Sequence, residues 1–353
     1  MDKITILNNE LYLSDIERAV NSFNLIDFPK NKTILITGAT GLICSTVVDL
    51  MVCLYNHFGL NLKIIIAVRN IEKAKLRFSK YLNNSNVSFL HYDAMNPCEF
   101  PNNIDYIIHG ANNAYPALYS SNPVETLLAG MKGLESILRY SVNNSTRVLY
   151  ISSSEIYGQL ENKDPIKETD IGSVDILNPR SAYAMGKRAS ETMCSSFNTE
   201  YNCDSVIVRP GHVYGPTASV QDNRVSSTFM YLAAQGNDLV MKSTGEQIRS
   251  YCYCIDCASA IITVLLKGIK GEAYNISNKN SICSIKDMAE IFACAGNVNL
   301  NFSLPSEKEK KAFNPMLNSS LNSEKLESLG WNPVFSMKEG FEHSVLICKD
   351  LIK

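Results

Sequence analysis

The stretch Lys32-Thr33-Ile34-Leu35-Ile36-Thr37-Gly38-Ala39-Thr40-Gly41-Leu42-Ile43-Cys44 decides how this chain is read. Lys32 to Thr37 is a short apolar run that stops at a glycine, the pattern of a buried strand entering a tight turn. Leu42 to Phe58 follows with helical spacing. Glycine at 38 lets the backbone turn sharply, and glycine at 41 lets it come close to a bound group. The helix then offers unpaired N–H groups to an anion. Gly38, Thr40, Gly41, Leu42 and Ile43 are therefore expected to cradle the pyrophosphate of a dinucleotide. A glycine pair alone is a weak signal; its position between an apolar strand and a helix gives it weight.

Outward from this turn, apolar strands alternate with helices. Further strands are expected at 62–68, 87–92, 106–109, 147–152 and 205–208, and helices at 72–81, 124–140 and 181–201. Nearly continuous apolar strands separated by helices indicate a parallel sheet covered on both faces. The expected fold is α/β, a Rossmann-type doubly wound parallel sheet with a smaller C-terminal substrate-binding lobe. Residues 1–30 read as a helical extension, amphipathic over 11–25. Residues 31–210 read as the dinucleotide-binding domain, and 211–353 mainly as the lobe, interleaved with late strands of the sheet. The loop 160–180 is long and polar, a length that often carries function.

The chain has 353 residues, 45% hydrophobic and 19% charged, which suits an ordinary buried core. A net charge of −2 with no long basic block argues against nucleic acid as a partner. Acids early in the N-terminus argue against a signal peptide, and no apolar run approaches the roughly 20 residues of a membrane helix. Eleven cysteines without framework spacing fit reduced thiols in a cytoplasm. Cys252, Cys254 and Cys257 lie where a strand runs into a helix, so they read as small buried side chains rather than metal ligands.

The second strand ends Ala67-Val68-Arg69-Asn70. This position normally carries a carboxylate for the adenosine ribose. Here it is absent, and Arg69 is placed to meet a 2′-phosphate, which leaves NAD and NADP open and favours NADP. The alternative is that Arg69 stacks on adenine or faces solvent. Tyr183-Ala184-Met185-Gly186-Lys187 sets a phenol and an ammonium four residues apart on one helix face. A nearby cation is expected to favour the phenolate, which can then take a hydroxyl proton as hydride leaves for a nicotinamide. Ser152-Ser153-Ser154 ends the fifth strand, at the sheet edge where ligands sit. Ser153 is the expected partner of the reacting oxygen.

These motifs together resemble the extended short-chain dehydrogenases/reductases, the NAD-dependent epimerase/dehydratase family, from about Lys32 to about Trp331. The turn resembles the family's TGxxGxxG fingerprint but has Cys44 at the third glycine. The resemblance implies that Asp93 and Ala94 contact adenine, and that Gly110, Ala111, Asn112 and Ser152 line the cofactor. It also implies roles beside the nicotinamide for Tyr183 and Lys187, and for Pro210 and Val213 in Arg209-Pro210-Gly211-His212-Val213-Tyr214-Gly215-Pro216. His212 stands where the family often has Asn. Arg249, in Arg249-Ser250-Tyr251, matches the arginine that grips a sugar-nucleotide diphosphate, a task that suits a planar cation.

Enzymes of this type oxidise a nucleotide-linked sugar at C4 and then diverge. Ser154-Glu155 resembles the pairing in UDP-glucuronate decarboxylases and GDP-mannose 4,6-dehydratases. Asn178-Pro179-Arg180-Ser181-Ala182-Tyr183 and Asp222-Asn223-Arg224-Val225 resemble decarboxylase segments. The expected catalytic set is Tyr183, Lys187, Ser153 and Glu155, and the substrate set is Ser154, Glu155, His212, Arg224 and Arg249. Glu155 is expected to position the ring or move a proton at C5; the alternative is that it caps a backbone turn. A 4,6-dehydratase, a 4-epimerase, a 4-keto reductase and a dinucleotide-sensing scaffold remain open. The resemblance further implies a homodimer paired through the helices at 124–140 and 181–201.

Overall fold

A computed structural model describes residues 5–23, 28–96, 98–112, 119, 121–161, 164–303 and 316–353. Its main sheet contains β1 (Thr33–Thr37), β2 (Lys63–Val68), β3 (Val87–His91), β4 (Tyr106–His109), β5 (Arg147–Ile151), β6 (Ser205–Pro210) and β10 (Ala273–Ile276). The order is β10-β6-β5-β4-β1-β2-β3, and every neighbour pair is parallel. This is the doubly wound Rossmann-like arrangement. Its strand order reverses between β1 and β4, where Thr37 stands in register with His109. A crevice opens at such a reversal, beyond the carboxyl ends of the strands.

Alternation along the strands explains why both faces are covered. Ile34, Ile36, Ile64, Ile66, Ile108 and Leu149 point into one core. Leu35, Ile65, Ala67, Ile107, Val148 and Tyr150 point into the other. The first core is closed by α2 (Leu42–Phe58) and α7 (Cys254–Lys267), the second by α4 (Pro123–Asn144) and α5 (Ala182–Tyr201). Cys252, Cys254 and Cys257 are fully buried where β9 (Ile248–Tyr253) enters α7. All eleven cysteines are free thiols. No helix among the described residues is long and apolar enough to cross a membrane.

Beyond residue 210 the chain forms two small sheets, β11-β9-β7 and β12-β8. These comprise β7 (His212–Tyr214), β8 (Leu239–Met241), β9, β11 (Ile282–Ser284) and β12 (Leu300–Phe302). Helices α6 (Val225–Ala234), α8 (Ile285–Gly296), α9 (Glu324–Glu327) and α10 (Met337–Ile352) complete this part. Capping boxes start α8 at Ser284 and Asp287, and α10 at Ser336 and Glu339.

Several boundaries differ from the sequence reading. The helix expected at 72–81 is α3 (Ile71–Arg77), which breaks at Phe78 into a 3₁₀ turn at Ser79–Tyr81. Arg77, the last residue of α3, pairs with Asp49 on α2. The helix expected from 124 runs from Pro123 to Asn144, since proline at the first position costs no hydrogen bond. The helix expected from 181 begins at Ala182, after a 3₁₀ turn capped by Asn178. The amphipathic segment 11–25 forms α1 (Glu10–Val20); its last two residues lie outside the described set.

Helix α1 is held by two buried carboxylates. Tyr12 donates from its hydroxyl to Asp49 on α2 at 2.6 Å. Arg77 forms an ion pair with the same carboxylate, and the Tyr81 hydroxyl donates to it at 3.2 Å. Asp15 accepts from the Tyr253 hydroxyl at 3.0 Å and pairs with His343 of α10 at 3.0 Å. Removing one partner of a buried ion pair strands the other charge. Asp49→Asn is therefore expected to lower stability by about 3 kcal/mol. The denaturant midpoint measures this, and an unchanged midpoint would show that the network contributes nothing.

Candidate active site

The turn after β1 adopts the strained geometry that glycine permits. Gly38 has φ +65°, and a Cβ there would stand 2.8 Å from the carbonyl carbon and oxygen of Gly110. Thr37 draws the two strand ends together. Its hydroxyl bonds His109 Nδ1 at 2.8 Å and accepts the N–H groups of Gly110 and Ala111, both at 3.2 Å. Gly41 is the N-cap of α2 and brings no side chain to the first-turn amides. Those amides are left for an anion, as dinucleotide binding at a helix start requires. The residues present therefore fit a dinucleotide.

Cys44 answers the departure at the third glycine. A Cβ on Gly110 would lie 2.4 Å from its sulfur, so the space that a side chain at 110 would fill is taken by the thiol. Burial pushes that thiol up to about 12, which keeps it protonated and unreactive.

A cleft of about 1050 Å³ lies over the strand reversal. Every site residue expected from sequence lines it, from Gly38 in the turn to Arg249 in β9. Within it Arg69 is exposed, with its guanidinium 3.8 Å from Glu125 at the start of α4. Asn70 spends its side-chain oxygen capping α3, accepting the Lys73 N–H at 2.9 Å. Asp93 is likewise engaged locally, by the N–H of Met95 at 3.1 Å and the amide of Asn96 at 2.8 Å. Asn112 packs where Gly130 of α4 leaves room; a Cβ there would stand 2.9 Å from its side-chain nitrogen.

Ser153 caps a 3₁₀ turn, Ser154–Tyr157, by accepting the Glu155 N–H at 3.2 Å. The turn is thus capped by Ser153, while the Glu155 side chain lines the cleft. Among the described residues, the buried Ser152 hydroxyl meets no hydrogen-bond partner. Tyr183 lies in the first turn of α5, and its ring stacks on that of Tyr119 with centres 4.2 Å apart.

Lys187 reaches from α5 toward the end of β5. The Lys187 ammonium donates to the Ile151 carbonyl at 2.6 Å and sits 5.8 Å from the Tyr183 ring centre. Burial dominates both groups. It raises the Tyr183 phenol. It pushes Lys187 down to about 8, which leaves the ammonium charged at neutral pH. The two residues share the helix face as expected.

On the far wall, Arg249 is 5% exposed and donates to the carbonyls of Ile248 at 2.8 Å and Met316 at 3.2 Å. Arg224 is paired with buried Asp222 at 2.5 Å. His212 bonds the Ser319 hydroxyl at 3.1 Å. Burial, reinforced by Arg249 and Arg224, pushes this imidazole down to about 3, so it is neutral. Sequence reasoning missed Lys73, Tyr119 and Gln247, which also line the cleft. Lys73 was accessible as the next cation after a strand end that lacks an acid. Tyr119 and Gln247 lie in no recognisable local pattern.

The model of the NAD dependent epimerase/dehydratase family matches residues 34–277. Among curated relatives, UDP-glucuronic acid decarboxylase 6 of Arabidopsis thaliana is 28% identical over 320 residues, covering 89% of this chain and 88% of its own. Among solved structures, UDP-N-acetylglucosamine 4-epimerase of Methanobrevibacter ruminantium superposes with a TM-score of 0.77 at 21% identity, over 90% of this chain and 98% of its own. UDP-glucuronic acid 4-epimerase of Bacillus cereus, solved with UDP-glucuronic acid and NAD, gives 0.75 at 20%, over 90% and 99%. At these identities the two structures speak for the fold.

The Cys44–Gly110 contact is directly testable. Gly110→Ala is expected to destabilise the protein by about 1–3 kcal/mol through overpacking. Adding Cys44→Ala removes the clashing sulfur, so the double variant should regain most of the thermal midpoint lost. Equal loss in single and double variants would place the strain elsewhere.

Proposed function

We propose a reaction for this chain from one premise: it belongs to the NAD-dependent epimerase/dehydratase family. It acts on a nucleotide sugar through a 4-keto intermediate, and the favoured reaction is decarboxylation of UDP-glucuronate. One observation carries the reading. The cleft gathers the phenol of Tyr183, the hydroxyl of Ser153, the carboxylate of Glu155 and the buried Arg249 beside the glycine turn. Arg249, buried and donating to the Ile248 and Met316 carbonyls, is a planar cation that suits a diphosphate.

The bound nicotinamide supplies the acceptor, and later the donor, of the C4 hydride. Ser153 and Tyr183 hold the C4 oxygen, and Tyr183 takes its proton as the C–H bond breaks. The C4 ketone makes the C6 carboxylate a β-keto acid. The C5–C6 bond then breaks, its electron pair passes to C5 and carbon dioxide leaves. Glu155 guides the proton that returns to C5, and Tyr183 returns its own when the ketone is reduced. The curated decarboxylase relative and the segments Asn178 to Tyr183 and Asp222 to Val225 support this choice over 4,6-dehydration, 4-epimerisation and 4-keto reduction.

For the cofactor we favour NADP. Arg69 and Lys73 face the cleft where a ribose-binding acid would otherwise stand. Arg69→Ala should weaken NADP binding by about tenfold or more with little effect on NAD, as loss of a charge-assisted contact predicts. Calorimetric titration with both dinucleotides checks this, and tighter binding of NAD by the unaltered protein would reject it. Incubation with UDP-glucuronate and mass spectrometry of the product tests the reaction. Loss of carbon dioxide is expected, and loss of water or an unchanged mass would move the assignment to a dehydratase or an epimerase.

We also favour a homodimer paired through α4 and α5. Val124 is exposed and Leu128 and Met131 are only half-buried on α4, which would place apolar surface in such a seam. Light scattering should give the mass of two chains; a monomer would exclude it. Eleven unpaired thiols suit a reducing cytoplasm.

A further inference from the structure

Helix α4 packs closely on the chain just past β3 and β4. A Cβ on Gly133 would stand 2.8 Å from both the Ala94 Cβ and the Tyr92 hydroxyl, and one on Gly130 would stand 2.9 Å from the Asn112 side-chain nitrogen. Glu125, Ala129 and Gly133 are spaced by four, so they share one face of this helix. That face brings Glu125 and Ala129 into the lining of the cleft, together with Arg69 and Ala94. The guanidinium of Arg69, one residue past β2, stands 3.8 Å from the Glu125 carboxylate.

We propose that Glu125 sets the choice between the two dinucleotides, by holding Arg69 in an ion pair that a 2′-phosphate must break. This rests on the assignment of Arg69 to that phosphate. The strand that delivers the arginine ends without an acid. Asp93, just past β3, is already engaged by the Met95 N–H and the Asn96 amide. Among the described residues, Glu125 is thus the carboxylate that reaches Arg69, and it comes from a helix rather than from the strand end. An adenosine ribose that carries only hydroxyls leaves the pair in place. A 2′-phosphate takes the guanidinium for itself, since it bears more charge and can meet the planar fork through two hydrogen bonds. Whatever the pair contributes is then lost from the binding of the phosphate. The Arg69 and Glu125 side chains are 67% and 40% exposed, so this contribution is small and sensitive to salt.

Adenosine 2′,5′-bisphosphate carries the phosphate in question, and adenosine 5′-monophosphate lacks it. Calorimetric titration of the full chain with each reads the choice without any turnover. Glu125→Gln should tighten the bisphosphate by about threefold, the size of an exposed ion pair, and leave the monophosphate as it was. The gain should shrink as salt is raised. On an Arg69→Ala background the same substitution should change neither affinity. Unchanged bisphosphate binding in Glu125→Gln, equal shifts for both probes, or a gain that survives without Arg69 would overturn the proposal. Failure of the cofactor preference has a different signature. If the unaltered protein binds the monophosphate more tightly, yet Glu125→Gln tightens the bisphosphate alone, the preference for NADP falls and the role of Glu125 stands. If Arg69→Ala leaves bisphosphate binding as it was, both fall together.

Discussion

The close approach of two backbones, at Gly38 and Gly110, is the constraint on which the rest of this structure depends. The carbonyl of residue 110 sits where a side chain on residue 38 would be. The two strands that meet there, β1 and β4, are neighbours only because the sheet reverses its order between them. Thr37 ties their ends by bonding both His109 and the amides that follow. Without that tie the crevice would widen, and the amides of α2 would no longer share one cleft with the strand ends of β4 and β5.

The remaining parts of the site are carried to that crevice by elements far apart in the chain. Ser153 and Glu155 come from the end of β5, Tyr183 and Lys187 from α5, and Arg249 from β9. Each is held by its own support. Ser153 caps its turn, Lys187 is anchored on a strand carbonyl, and Arg224 is locked to Asp222. Side chains held in this way limit the reorganisation needed during reaction. Its electrostatics are dominated by burial. Neutral histidine, raised phenols and a depressed lysine all follow from low exposure to water more than from paired charges.

Much of this was legible in the residues. The apolar run before Gly38 and the helical run after it gave the strand, turn and helix, because period and glycine placement are local signals. The same holds for the Tyr183 and Lys187 pair and for the strand-end serines. Three features were not legible. The pairing of Arg77 with Asp49 at the end of α3 joins residues 28 positions apart. The direction of Lys187 is set by a carbonyl on β5. The stacking of Tyr119 on Tyr183 joins residues 64 positions apart. Such choices are made by tertiary packing, which overrides what neighbouring residues prefer.

The sulfur lodged over Gly110 also carries a historical consequence. In the fingerprint that this turn resembles, residue 44 would be glycine, and a side chain at 110 would meet no sulfur. The two positions are bound together: one accepts bulk only when the other has none. With cysteine in place the way back is closed at 110, so descendants can regain a side chain there only by first giving up the sulfur.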